Sequence, residues 1–424
     1  MIPKYRIRCI GGGEIVEDLT RLACPAGHNS LLRTEYSARN LRLAPYEGMY
    51  RYIDWLPVSR PLLPSGGPVT FTCEDLSRDL GLGNLWISFS GYFPERSAQM
   101  TTGSFKELEA SPTMERLHEL GGKIPVIASA GNTGRAFAEL SARCKRPVIL
   151  SIPEKAASRI WTTQPASDIF LVTVAGDYSD AIDVSNVLAS VPGCSPEGGA
   201  KNVARRDGMG TVMLDAAVTL GRIPDHYFQA IGSGTGGIAV YEAFQRLVAD
   251  GRYGKGPLTL HLAQNEPFVP MASAWRNRRR EIIPEVDMPN ASESIGNVIA
   301  DVLTNRNPPY GIAGGVYDVL VASQGEAYTV RNEDARDADK HIRETIGIDP
   351  DPAAAVALAA LIQAAQTNKV GADDYILLNI TGGGYERIRE DFTLHPVAPS
   401  VHYKPGTSHE EITRELKAWI DTYG

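Results

Sequence analysis

Cysteine is scarce and unpaired in this chain of 424 residues: five stand at 9, 24, 73, 144 and 194. An odd count at wide spacing excludes a disulfide framework and points to reduced thiols. No Cys-x-x-Cys pair occurs. Cys9, Cys24 and His28 offer only three dispersed ligands where structural zinc wants four at close spacing. The expectation is therefore no metal, with His28 a loop histidine. Long apolar runs are missing too, and the longest, 353–362, is far short of the ~20 residues a spanning helix needs. The opening Met1-Ile2-Pro3-Lys4-Tyr5 leads into charged residues rather than a signal core, so a cytoplasmic protein is expected. Positive charge is not in excess. Lys plus Arg is 42 against 50 for Asp plus Glu, a net charge of −8, which argues against nucleic-acid or anionic-membrane partners. Internal repeats and low-complexity tracts are absent. With 43% hydrophobic and 22% charged residues, the chain is neither disordered nor fibrous.

What is present is a rhythm. Short apolar runs alternate with amphipathic helical stretches, as in a doubly wound α/β fold with mostly parallel sheets. Strands are expected at 85–89, 125–129, 147–151 and 168–174, and again at 226–231, 258–263 and 375–380. Helices are expected at 104–120 (interrupted early by Pro112), 133–144, 178–188, 207–220, 238–249, 352–365 and 409–421. Residues 1–60 read as an irregular extension. The series splits near residue 200. This predicts a small α/β domain at 107–198 inserted into a larger one made of 1–106 and 199–424.

Three loops carry chemistry. Gly232-Ser233-Gly234-Thr235-Gly236-Gly237 lies between a strand and a helix. Its free N–H groups at the helix start suit a phosphate. It also satisfies G-x-G-x-x-G, a weak signal alone. A dinucleotide site wants an acidic residue about 20 positions on, and here the next strand runs into Ala263-Gln264-Asn265-Glu266, a few residues late. Thr102-Gly103-Ser104-Phe105-Lys106 offers a lysine beside an aromatic ring. That lysine is either a solvated helix start or a Schiff-base amine with a depressed pKa. Ser129-Ala130-Gly131-Asn132-Thr133-Gly134 is again strand to helix. Asn132 there is either a cap or a hydrogen-bond partner for a phenolic oxygen, in a loop suited to a carboxylate.

Together with Thr381-Gly382-Gly383-Gly384, these loops resemble those of the fold type II pyridoxal-phosphate enzymes, the group of threonine synthase, cysteine synthase and tryptophan synthase β chain. The resemblance covers roughly residues 60–390. It implies pyridoxal 5'-phosphate in the cleft between two domains. Lys106 would be the lysine bonded to the cofactor, Asn132 the partner of its ring hydroxyl, and Gly232 to Gly237 its phosphate cup. Thr381 would be the partner of its pyridine nitrogen, a neutral hydroxyl that leaves a milder electron sink suited to replacement at Cβ. Ser129, Ala130, Gly131 and Thr133 would hold the substrate carboxylate.

The layout is most similar to threonine synthase, with Arg205-Arg206-Asp207-Gly208 resembling its R-x-E-G segment and Cys9, Cys24 and His28 its Cys-containing start. Two features differ. Glu107-Leu108-Glu109 follows the lysine where Asp-Arg-Gly is usual, and Asn132 leads into Gly134-Arg135-Ala136-Phe137. Both resemble the branch that makes L-cysteate for coenzyme M biosynthesis. This implies β-replacement: O-phospho-L-serine and sulfite give L-cysteate and phosphate. The other readings are γ-replacement on O-phosphohomoserine, as in threonine synthase, and sulfhydrylation of O-phosphoserine or O-acetylserine. Leaving group and nucleophile are both anions, so Arg135, Arg205 and Arg206 are the candidate substrate cations. A homo-oligomer is expected from the resemblance.

Overall fold

The computed structural model describes residues 3–129, 131–404 and 406–422. A six-stranded sheet runs in the order Glu326–Val330, Thr259–Asn265, His226–Ala230, Tyr375–Ile380, Asn84–Phe89, Val69–Thr72. All neighbours are parallel except the last pair. Its central strands are buried almost throughout, polar residues included, because helices cover both faces. Helix Pro352–Gln366, almost wholly buried, packs on one face with Leu85, Ile87, Phe228, Ile376 and Leu378.

A second, five-stranded sheet is parallel throughout, in the order Cys194–Pro196, Ile124–Ala128, Val148–Pro153, Ile169–Val174, Val401–Tyr403. Its last strand departs from the sequence expectation, which placed all of 199–424 with the larger unit. Val401–Tyr403 pairs with Ile169–Val174. The capped amphipathic helix His409–Ile420 then buries Ile412 and Leu416 against Val126, Phe170 and Leu188. The C-terminal segment thus returns to the sheet of the inserted region.

Residues 3–60 are also more ordered than expected. Tyr5–Cys9 pairs antiparallel with both Ile15–Val16 and Leu32–Tyr36. Helix Lys106–Glu119 runs through Pro112 without a break. It is clamped along its length by Val203–Met209 and Asn132–Cys144, and such packing overrides local propensity. The expected helix 207–220 is two helices, Val203–Met209 and Thr211–Leu220, meeting at Gly210.

Three strands end in the loops singled out above: Ile124–Ala128 before Ser129, His226–Ala230 before Gly232, and Tyr375–Ile380 before Thr381. The carboxyl ends of parallel strands are where open α/β sheets form their crevices.

Candidate active site

The segment before Lys106 is pinned by backbone. The Phe105 N–H donates to the Thr381 carbonyl (2.9 Å), the Gly383 N–H donates to the Gly103 carbonyl (3.0 Å), and Ser104 bridges Gly382. Lys106 then opens the helix Lys106–Glu119. Its Nζ lies 4.8 Å from the Phe105 ring centroid and 3.4 Å from Glu109 Oε2. Burial pushes the Lys106 amine below the ordinary lysine range. The Glu109 carboxylate opposes that shift, and the Arg205 guanidinium adds to it. Arg205 bridges Glu109 Oε2 (3.0 Å) and Glu197 Oε2 (2.9 Å).

The asparagine loop is folded by Ser129, whose Oγ accepts from the N–H of Gly134 (2.9 Å) and of Gly131 (3.1 Å). Thr133 Oγ1 donates to Glu109 Oε1 (2.9 Å), tying this loop to the lysine helix. Asn132 Nδ2 donates to Asp351 Oδ2 (3.0 Å), and Tyr385 donates to the same oxygen (2.9 Å). Arg135 donates to the Thr102 carbonyl (2.8 Å), to Asn132 Oδ1 (2.8 Å) and to the Tyr385 hydroxyl (3.0 Å). Its guanidinium also stacks on the rings of Trp161 and Tyr385. Arg135 is 6% exposed, yet every one of these acceptors is neutral. Among the described residues it has no carboxylate partner.

In the glycine loop, Gly234 takes φ +77° at the start of helix Thr235–Asp250. The first-turn N–H groups of a helix have no intrahelical acceptor. Ser233 Oγ contacts Thr235 Oγ1 (2.8 Å). The segment Asp301–Leu303 touches this loop and the asparagine loop together. A Cβ on Gly232 would meet Val302 O at 3.0 Å, and one on Gly131 would meet Val302 Cγ1 at 3.8 Å. Arg159 and Asp301 pair at 2.5 Å beside them.

Hydrogen bonds and ion pairs thus link Lys106, Arg205, Thr133, Ser129, Asn132 and Arg135, the Phe105–Thr381 backbone bond adds Thr381, and Val302 borders both Gly131 and Gly232. Ala130 lies outside the described residues. Arg206 requires correction. It is fully buried on Glu242 (3.1 Å) and on the carbonyls of Ala200 and Leu32. All its donors face the protein, because a buried guanidinium needs saturating acceptors. A phosphorylated pyridine aldehyde fits the residues present: a desolvated amine, an anion-ready helix start, and Thr381, 5% exposed, at the end of the strand Tyr375–Ile380.

A family model described as pyridoxal-phosphate dependent enzyme matches residues 77–382. The chain belongs to this pyridoxal-phosphate-dependent enzyme family. Curated relatives place it more closely. A cysteate synthase of Methanoregula boonei is 64% identical over 100% of both chains, and one of Methanoculleus marisnigri is 55% identical over 99% of this chain and 98% of its own. A solved fungal L-serine ammonia-lyase from Rhizomucor miehei, at 14% identity, shares the fold type II architecture with TM-score 0.58 over 79% of this chain and 100% of its own. Like its family, the enzyme depends on pyridoxal phosphate. No described helix is long and apolar enough to cross a membrane.

For this pyridoxal-phosphate enzyme, sequence reasoning missed Asp351, Tyr385, Glu109 and Glu197 as neighbours of the crevice. Asp351 reads locally as the N-cap of helix Pro352–Gln366, which it is. Tyr385 carried a signal, directly after Thr381-Gly382-Gly383-Gly384, and so did Glu109, in the Glu107-Leu108-Glu109 that follows the lysine.

Proposed function

We propose that the enzyme replaces the phosphate of O-phospho-L-serine with sulfite, giving L-cysteate and phosphate, as a step toward coenzyme M. The observation that carries this reading is Arg135, a buried cation in the crevice with no carboxylate partner. A buried charge is costly unless paired, and an anionic substrate supplies the missing partner. The names of the curated relatives support the same reaction.

The cofactor, when bound, supplies an electron sink for chemistry at the substrate Cα. The chain supplies the rest. Lys106 Nζ would hold the cofactor, and the free amine removes the substrate Cα proton; its depressed pKa leaves the amine unprotonated and able to accept it. The Cβ–O bond breaks with phosphate leaving, a Cβ–S bond forms from sulfite, and the Lys106 ammonium returns the proton to Cα. Ser129, Gly131 and Thr133 would hold the substrate carboxylate, Asn132 the ring hydroxyl, the 232–237 loop the cofactor phosphate and Thr381 the ring nitrogen. Arg135 faces the substrate anions. Arg205, neutralised by Glu109 and Glu197, holds those carboxylates in place. This reading sets the enzyme in the cytoplasm as a homo-oligomer.

The test is product analysis by mass spectrometry. The holoenzyme is incubated with phosphoserine plus sulfite, with phosphoserine plus sulfide, and with phosphohomoserine alone. Cysteate as the dominant product is expected. Cysteine as the dominant product, or threonine from phosphohomoserine, overturns the reading in favour of the corresponding activity.

A further inference from the structure

Outside the crevice, the described residues bring one further set of ligand-type side chains together: Cys9, Glu14, Cys24 and His28, whose ligand atoms all lie within 4.8 Å of one another. The sequence offered three dispersed candidates and no metal was expected. Folding adds a carboxylate as a fourth and closes the gaps. Cys9 ends the strand Tyr5–Cys9, Glu14 follows the glycine turn, and Cys24 and His28 share one loop.

The spacings suit a single ion. His28 Nδ1 is 3.6 Å from Cys9 Sγ and 3.5 Å from Cys24 Sγ. Tetrahedral zinc, with Zn–S about 2.3 Å and Zn–N about 2.0 Å, holds sulfur and nitrogen about 3.5 Å apart. Glu14 Oε1 lies 3.0 Å from His28 Nδ1 and 2.7 Å from Cys24 Sγ. The latter is a hydrogen bond. Loss of the thiol proton on metal binding releases it and lets the carboxylate swing to ligand distance. The Gly12 N–H donates to Cys9 Sγ at 3.4 Å, steadying a thiolate.

Gly12 sits directly against these side chains. A Cβ on Gly12 would lie 2.0 Å from Glu14 Oε2 and 2.3 Å from His28 Cε1. A larger residue there would push the ends of the Glu14 and His28 side chains out of this arrangement. Cys9 and Cys24 are buried behind Ile7, Val16, Leu32 and Val203, while His28 is exposed and leaves an entry path. Val203 opens the helix that carries Arg205.

We propose that Cys9, Glu14, Cys24 and His28 form a structural zinc site that pins the loops following the strand Tyr5–Cys9, on the side where Cys9 and Cys24 pack with Val203. Two thiolates, an imidazole and a carboxylate in tetrahedral array favour zinc and accept cobalt as a probe. Each ion bound displaces the thiol protons to solvent.

The test uses full-length holoenzyme purified without chelator under reducing, anaerobic conditions. Elemental analysis is expected to find one zinc per chain. After chelation, cobalt is expected to bind one to one, with visible thiolate–cobalt bands displaced by zinc. Cys9→Ser with Cys24→Ser is expected to weaken binding by more than about 100-fold, beyond what loss of an outer-shell partner causes. Cys144→Ser is expected to leave it unchanged. Absence of stoichiometric zinc or cobalt at micromolar metal overturns the proposal. So does full binding in the double variant, or a Cys9–Cys24 disulfide in the anaerobic protein. Should the double variant not fold, the wild-type cobalt spectrum decides alone.

Discussion

Lys106 Nζ and Glu109 Oε2 stand 3.4 Å apart on successive turns of one helix, and Arg205 shares the same carboxylate oxygen. Burial lowers the Lys106 pKa, and Glu109 is the main force raising it back. Glu109→Gln removes a charge that favours the ammonium and leaves Arg205 less neutralised. Both changes disfavour protonation. The pH at which apoenzyme recaptures pyridoxal phosphate half-maximally, followed by stopped-flow absorbance, is expected to move down in the variant. An unchanged or higher midpoint would show that Glu109 does not govern the amine.

Arg135 and Arg206 were indistinguishable in sequence as candidate cations, and the structure separates them. Arg135→Gln removes a charge with no carboxylate partner, so KM for phosphoserine is expected to rise at least about tenfold, or ~1.4 kcal/mol. The cofactor absorbance should stay near wild type. Arg206→Gln instead strands Glu242 in the interior, which typically costs about 3–5 kcal/mol. Its signature is a lower denaturation midpoint with KM unmoved in the folded fraction. Steady-state kinetics beside urea melts distinguish the two, and a KM effect confined to Arg206→Gln would reverse the assignment.

Gly234 combines φ +77° with a Val316 Cγ2 only 2.3 Å from where a Cβ would sit. Gly234→Ala therefore incurs about 1–2 kcal/mol for the left-handed backbone plus a clash at the helix start. Affinity for pyridoxal phosphate, measured by fluorescence titration of apoenzyme, is expected to fall at least about tenfold. Gly251→Ala is the control. It has φ +79° at the other end of the same helix and no atom within 4 Å, so it carries the backbone cost without the effect on cofactor.

These contrasts mark what the sequence makes legible. The strand–loop–helix units around Gly232 and Asn132 are local, with apolar run, turn chemistry and helix start contiguous in the chain, so they can be read without a fold. Partners joined across the chain cannot. Asn132 and Asp351 are 219 residues apart, and Asp351 looks like an ordinary cap. The strand Val401–Tyr403 spans 3 residues, and the outer strand Glu326–Val330 is only half-buried. Neither leaves a periodicity to find. The cluster of Cys9, Glu14, Cys24 and His28 was hidden for another reason: its fourth ligand is a carboxylate, a residue type too common to mark a metal site by spacing.

His261 is buried in the large sheet, stacked on Phe228 with ring centroids 4.1 Å apart. Its nitrogens contact His226 Nδ1 and the Tyr328 hydroxyl, each at 2.9 Å. Burial, reinforced by His226, depresses its pKa to about 3. An unfolded histidine titrates near 6.5. Between those values the unfolded chain binds the additional proton, so stability is full above about pH 6.5 and falls as the pH drops toward 3. The contribution of this one group approaches ~1.4 kcal/mol per pH unit within that window. His261→Gln keeps a polar side chain but no titrating ring. Urea melts at successive pH values are expected to show a shallower acid loss in the variant, whatever its stability at neutral pH. Parallel pH profiles for variant and wild type would locate the acid sensitivity elsewhere.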